Sequence, residues 1–173
     1  MTTSKYVPGH KQQKPTPELP PLYKHGQRFI KFVPARGSSI DTVLKGHLIL
    51  EEILNAILTD RLEIQELPSP NKGGLSFYSK LQLVRQIAST GDYGIKNGFF
   101  ETVGGLNVFR NRLSHKMHEE VELTGEIAEL LKQVKKWDSI ERKVTPEALW
   151  DAVFKLVGQL MSLRWRLQEA RNK

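Results

Sequence analysis

The chain has 173 residues, contains no cysteine and carries a formal net charge of +7, from 26 Lys and Arg against 19 Asp and Glu. A chain without cysteine has no disulfide, no thiolate nucleophile and no cysteine-ligated metal centre. No apolar run approaches the roughly 18 residues of a membrane span, and the first residues lack the apolar core of a secretory signal. We therefore expect a cytoplasmic protein that does not associate with membranes.

The positive charge is concentrated in residues 1–36. Seven basic residues and one acidic residue give this segment a charge of +6, whereas residues 37–173 carry 19 basic and 18 acidic residues. Six of the nine prolines also fall here, and proline fixes φ and removes a backbone donor. We predict an extended or disordered, non-helical basic arm over 1–36, followed by a helical domain over 37–173. The arm is either a solvated tail or a contact for nucleic-acid phosphates or a partner.

Apolar residues at helical spacing predict five helices in the rest of the chain. They cover residues 40–62, 76–89, 99–116, 124–140 and 145 to the C-terminal region. Ser38 and Ser39 are suitable N-caps for the first helix, and Thr145 followed by Pro146 is the strongest helix start in the sequence. No pair of strands is indicated. We expect an all-α bundle of about five helices.

The third predicted helix contains a row of polar residues at helical spacing. Asn107, Asn111 and His115 are spaced 4 and 4, so they share one face. Arg110 flanks this row, but it lies about 140° around an ideal helix from His115. Only its long side chain, or a second copy of the chain, would bring the guanidinium to the imidazole.

These residue types suit cleavage of a phosphodiester. Histidine moves protons near neutral pH, and arginine stabilises the charge that develops on phosphoryl oxygens. An asparagine amide orients an imidazole or a phosphate. RNA supplies its own nucleophile, the 2′-hydroxyl, so this chemistry needs no metal and no cofactor. The structural alternative is a solvated or salt-bridged helix face.

The segment Arg110-Asn111-x-x-x-His115 resembles the R-(polar)-x-x-x-H signature of the HEPN superfamily, the higher eukaryote and prokaryote nucleotide-binding domains. Leu106, Asn107 and Leu113 extend the likeness to the form L-N-x-x-R-N-x-L-x-H. The resemblance covers about residues 40–170 and implies a HEPN-like helical fold.

A second element of the resemblance lies on the first predicted helix. Glu51 and Glu52 are similar in position to the acidic residue that often lies opposite the motif in HEPN proteins. The resemblance makes one of them a secondary contributor to the site. His118, three residues after His115, is a candidate assistant, with an exposed helix-end residue as the alternative reading. His47 is either a packed histidine or part of the same cleft.

The resemblance implies a metal-independent endoribonuclease, of the kind found as toxins in toxin–antitoxin and phage-defence systems. Arg110 and His115 would be the catalytic pair and Asn111 their polar partner. The expected partners are RNA, a second copy of the chain in a homodimer, and a cognate antitoxin. Cleavage would leave a 2′,3′-cyclic phosphate.

Two other functions stay open on the sequence. The helix layout is also similar to that of the mannitol-operon repressor family, which favours a non-catalytic regulatory or scaffold protein. A DNA-binding protein that uses the basic arm is the third interpretation, although no recognition-helix signature supports it. No H-E-x-x-H or comparable ligand spacing is present, so we expect no metal site.

Overall fold

A computed structural model describes residues 21–68, 73–115 and 123–172, with the backbone alone at 21–24 and at 115. These residues form six helices and no strand. The helices are α1 (Pro21–Phe32), α2 (Ser39–Leu62), α3 (Phe77–Ala88), α4 (Phe99–His115), α5 (Thr124–Asp138) and α6 (Pro146–Arg171). None of the six is long and apolar enough to cross a membrane.

Hydroxyl side chains fix the starts of three helices. The Oγ atom of Ser38 accepts a hydrogen bond from the backbone N–H of Ile40 at 3.1 Å, which caps α2. Ser76 caps α3 and Thr145 caps α6 in the same way, each accepting a backbone N–H at 3.1 Å. Each cap satisfies an amide that has no partner within its helix. The predicted helix starts at Ser38 and Thr145 are confirmed.

Helices α2 and α6 form the centre of the bundle and run in the same direction. Gly46 lies against Val153 near their beginnings, and Asp60 pairs with Arg164 near their ends, at 2.8 Å. A Cβ atom on Gly46 would lie 2.4 Å from Cγ1 of Val153, so the close approach of the two helices requires glycine here. Most apolar residues of both helices are buried in one core.

The described part of the N-terminal segment is helical, so the expectation of a non-helical arm over 1–36 is wrong for residues 21–32. Proline is compatible with this helix because Pro21 is its first residue and Pro34 follows its end. Phe29 is fully buried, with its ring 5.5 Å from that of Trp150 and 5.7 Å from that of Phe154. This packing joins α1 to the core, so the bundle has six helices in the described residues instead of about five. Residues 1–20 lie outside the described residues, and their extended character stays a prediction.

The five helices predicted from periodicity correspond to α2–α6. One boundary differs by more than a residue within the described ranges. Helix α5 ends at Asp138 instead of residue 140, because Ser139 adopts a left-handed conformation with φ of 59°. Its N–H bonds the carbonyl of Lys135 and closes the helix.

Candidate functional site

Helix α4 carries the motif and presents two faces. Its apolar residues Leu106, Phe109 and Leu113 are buried in the core. Asn107, which starts the polar row, lies between this apolar face and the surface. The helical period of 3.6 residues therefore turns the following polar residues outward, beside α2 and the start of α3.

An open pocket of about 380 Å³ lies where α2, α3 and α4 meet. Its walls are polar and aromatic. The lining residues are His47 and Glu51 from α2, Ser76, Phe77 and Tyr78 at the start of α3, and Asn107, Arg110 and Asn111 from α4. Three residues of the predicted site, together with one of the two predicted acids, therefore share one pocket.

Arg110 and Asn111 are joined at the rim of this pocket. The guanidinium Nη1 of Arg110 donates a hydrogen bond to Oδ1 of Asn111 at 3.1 Å. Arg110 is half-buried and Asn111 is exposed. Within the described residues, the other guanidinium donors and the Asn111 amide nitrogen have no hydrogen-bond partner. The planar fork of arginine donors suits the oxygens of a phosphate.

His47 contacts the motif helix from the buried side of the pocket. Only 3% of its surface is exposed, its ring stacks on Phe77 at 4.3 Å, and its Nε2 lies 2.9 Å from Oδ1 of Asn107. Because the amide oxygen accepts, Nε2 carries the proton. Nδ1 is buried without a hydrogen-bond partner among the described residues. His47 is therefore both a packed histidine and a residue that lines the pocket, the two interpretations that the sequence left open.

Burial lowers the pKa of His47 below its ordinary value of 6.5. The hydrogen bond that His47 donates to Asn107 and the carboxylate of Glu51 act in the opposite direction, whereas the cations Arg110 and Lys80 lower the pKa further. His47 is consequently neutral at physiological pH. In the pocket it acts as a structural hydrogen-bond donor to Asn107 and adds no charge.

The two acids predicted from sequence lie in different places. Glu51 lines the pocket, and its Oε1 accepts a hydrogen bond from Nζ of Lys80 at 2.7 Å. The Lys80 side chain is almost fully buried. Glu52 faces α1, where it pairs with Arg28 and lines a separate groove. Adjacent residues on a helix point about 100° apart, so only Glu51 reaches the motif.

His115 of the motif and its candidate assistant His118 are the least described residues of the predicted site. The backbone of His115 forms the last residue of α4, one turn beyond Asn111, and its side chain lies outside the described residues. His118 falls in residues 116–122, which also lie outside them. The pairing of Arg110 with His115, and the assisting role of His118, therefore stay predictions.

Sequence reasoning missed Tyr78, which lines the pocket, and Lys80, which pairs with the pocket residue Glu51. Lys80 lies on an amphipathic helix, where a lysine side chain is ordinarily solvated. Its ion pair with Glu51 of α2 explains why it is buried. Tyr78 follows the buried Phe77 directly, so its exposure agrees with helical periodicity. Its nearness to the motif depends on the packing of α3 against α4, which no local pattern reveals.

A second group of charges lies at the junction of α5 and α6. Arg142 bonds both Asp138 and Asp151, the latter at 2.9 Å, and Lys155 donates to Asp138 at 3.1 Å. Burial acts to raise the pKa of Asp138, but the hydrogen bonds from Arg142 and Lys155 outweigh it and hold the pKa below its ordinary value. The cations and carboxylates satisfy one another, so this cluster joins two helices.

Metal-ligating side chains are dispersed in the described ranges, where no group of three or more His, Asp or Glu residues is arranged to hold an ion. Comparison of the chain with protein-family models, with curated proteins and with solved structures gives no significant match in any of the three. The assignment of function therefore depends on the residues of the pocket and on the motif resemblance.

Proposed function

We propose that this protein is a metal-independent endoribonuclease whose active site contains Arg110, Asn111 and His115. The observation that supports the proposal best is the position of Arg110 and Asn111, hydrogen-bonded at 3.1 Å on the rim of an open polar pocket. Helix α4 continues without a break to His115, so the motif lies on one rigid element. The protein is a HEPN-type toxin of a toxin–antitoxin or phage-defence pair.

The reaction is transesterification at a phosphodiester of RNA. A base removes the proton of the 2′-hydroxyl, the 2′-oxygen bonds to phosphorus, and the bond from phosphorus to the 5′-oxygen breaks with a proton delivered to that oxygen. His115 exchanges these protons, and Arg110 stabilises the charge on the phosphoryl oxygens. Asn111 holds the guanidinium through its side-chain oxygen. The products are a 2′,3′-cyclic phosphate and a 5′-hydroxyl.

The active enzyme is a homodimer in this proposal. Arg110 and His115 are five positions apart on a helix and point about 140° apart. A second copy related by a two-fold axis would bring Arg110 of one copy near His115 of the other, because two-fold interfaces place the same surface on both sides. Mixing inactive Arg110→Ala and His115→Ala proteins should then restore part of the activity.

The test of the proposal is incubation of mixed RNA with the full chain in EDTA. The wild-type protein should cleave RNA and leave cyclic-phosphate ends, whereas the same sequence as all-deoxy DNA should stay intact because it lacks the 2′-hydroxyl. His115→Ala should abolish cleavage and keep the melting temperature. Intact RNA after incubation with concentrated wild-type protein would overturn the proposal.

A non-catalytic regulatory or scaffold protein is the second candidate. The hydrogen bond between His47 and Asn107 favours it, because one member of the polar row already has a buried structural partner. Expression in a bacterial host separates the two functions. A nuclease toxin should arrest growth in a manner that depends on His115, whereas a scaffold should be tolerated.

A further inference from the structure

Tyr78 is an exposed aromatic residue at the mouth of the pocket. It is 62% exposed and lines the same pocket as Arg110 and Asn111. A tyrosine ring has two flat apolar faces that lose their contact with water when a planar group stacks on them. Tyr78, which favours a planar stacking partner, therefore lines the same pocket as Arg110, which favours a phosphate.

The position of Tyr78 is fixed from within the fold. It lies in the first turn of α3, whose start is capped by Ser76. The preceding residue, Phe77, is buried and stacks on His47 at 4.3 Å. The backbone that carries Tyr78 is therefore held to α2, and a ligand that stacks on the ring meets a surface that is already in place.

The charges around the pocket favour an anion. Glu51 is the acid that lines it, and Lys80 neutralises this carboxylate at 2.7 Å. Arg110 then contributes a positive charge, and Asn107 and Asn111 contribute neutral amides. A pocket of about 380 Å³ lies within the ordinary size range of small-ligand sites.

We propose that Tyr78 stacks on the base of an unpaired nucleotide while Arg110 binds an adjacent phosphate, so that the protein selects single-stranded RNA. This inference rests on the proposed nuclease function and names its substrate class. A base inside a duplex has both faces covered by its neighbours, so a stacking residue favours unpaired segments. Tyr78 is a substrate-positioning residue, and it takes no part in proton transfer.

The test measures binding separately from cleavage. The probe is a fluorescein-labelled 2′-O-methyl RNA of about twelve nucleotides, a length that covers a typical single-strand site. Its 2′-oxygens are blocked, so it binds without being cut. Fluorescence anisotropy would compare the wild-type chain with Tyr78→Ala, Tyr78→Phe and, as a matched control, Trp165→Ala. Trp165 is an exposed aromatic residue on α6, 48% exposed and away from this pocket.

Loss of a stacked ring should weaken binding by about 5- to 100-fold, as aromatic-to-alanine changes do at single-stranded sites. Tyr78→Phe keeps the ring and should bind within about twofold of wild type, as should Trp165→Ala. The single-stranded probe should bind more tightly than the same probe annealed to its complement. Equal binding by wild type and Tyr78→Ala, or equal binding of single strand and duplex, would overturn the inference.

Failure of this inference is distinguishable from failure of the nuclease proposal. A chain that cleaves RNA, but binds the probe equally well with and without the Tyr78 ring, overturns the inference alone. A chain that binds the probe through Tyr78 but leaves unmodified RNA intact keeps the nucleotide site and removes the nuclease. A wild-type chain that does not bind the probe overturns the nucleotide site.

Discussion

Nε2 of His47 lies 2.9 Å from Oδ1 of Asn107 and joins α2 to α4 beneath the motif. The two residues are 60 positions apart in the chain. The bond ties the first residue of the polar row to the core of the bundle, and the His47 ring in turn stacks on Phe77 of α3. The same histidine therefore contacts the other two helices that form the pocket.

Loss of this contact should lower stability. Asn107→Ala leaves a buried imidazole N–H unsatisfied and should reduce the free energy of unfolding by about 1–3 kcal/mol. Asn111→Ala, one turn further along the same helix, removes an exposed amide and should change it by less than about 0.5 kcal/mol. Urea denaturation of the two variants provides the measurement. Equal stability of both would show that the His47 bond contributes nothing.

Acidification from neutral pH should destabilise the fold through two buried or half-buried histidines. Burial lowers the pKa values of both His25 and His47. The unfolded chain then binds protons at a pH where the folded chain does not, so stability is fully present above about pH 6.5 and falls as the pH drops. Asp138, whose pKa is lowered, loses its contribution only at a more acidic pH, below the usual carboxyl range.

The urea midpoint at about pH 7.5 and at about pH 5.5 tests this expectation. The wild-type midpoint should be lower at the acidic pH. Glutamine does not titrate, so His47→Gln should show a smaller difference between the two midpoints. The double variant with His25→Gln should show a smaller difference still. A wild-type midpoint that stays constant or rises on acidification would contradict the inferred direction of these pKa shifts.

The ion pair of Glu51 with Lys80 should contribute more to stability than the adjacent ion pair of Glu52 with Arg28. Glu51→Ala leaves the nearly buried ammonium of Lys80 without its partner and should cost about 3–5 kcal/mol. Glu52→Ala removes a partly exposed pair and should cost less than about 1 kcal/mol. Thermal melts of the two variants compare adjacent residues of one helix. A larger loss for Glu52→Ala would contradict the structure.

Glycine-to-alanine changes at Gly46 and Gly158 should change the free energy of unfolding in opposite directions. Gly46→Ala places a Cβ atom 2.4 Å from Val153 and should destabilise by about 1–3 kcal/mol. Gly158 in α6 is exposed, and a Cβ atom there meets nothing within 4 Å. Gly158→Ala should therefore stabilise by up to about 1 kcal/mol, since alanine is the better helix former. Calorimetric melting temperatures that move in the same direction would contradict the packing of α2 against α6.

The sequence predicted the helices because their signals are local. Apolar spacing and hydroxyl caps such as Ser38 and Thr145 act within one or two turns, and they predicted α2–α6 closely. It failed for α1, where proline content outweighed the apolar pair Phe29 and Val33. Both side chains are fully buried, but Phe29 packs on Trp150 and Phe154 of α6, which lie far along the chain.

The residues of the pocket also differ in whether local sequence signals predict their positions. Asn107 and Asn111 share a face by helical spacing and Arg110 flanks them, so their association was predictable from the sequence. Which of the adjacent acids Glu51 and Glu52 faces the motif depends on the rotation of α2, which tertiary packing sets. The positions of Tyr78 in the pocket and of Lys80 beside Glu51 depend on how α3 packs, for which the sequence holds no local signal.

Arg110 contributes to RNA cleavage in the proposed function, and Arg112 on the same helix provides a matched control. Arg112 lies two residues away, is exposed, and lines a separate groove beside α5. The measurement is the initial rate of RNA cleavage in EDTA by Arg110→Ala and Arg112→Ala, with melting temperatures recorded for both. Arg110→Ala should reduce the rate by about 100- to 1,000-fold, as loss of a transition-state donor does, whereas Arg112→Ala should stay near wild type. Equal rates for the two variants, both folded, would contradict the proposed role of Arg110.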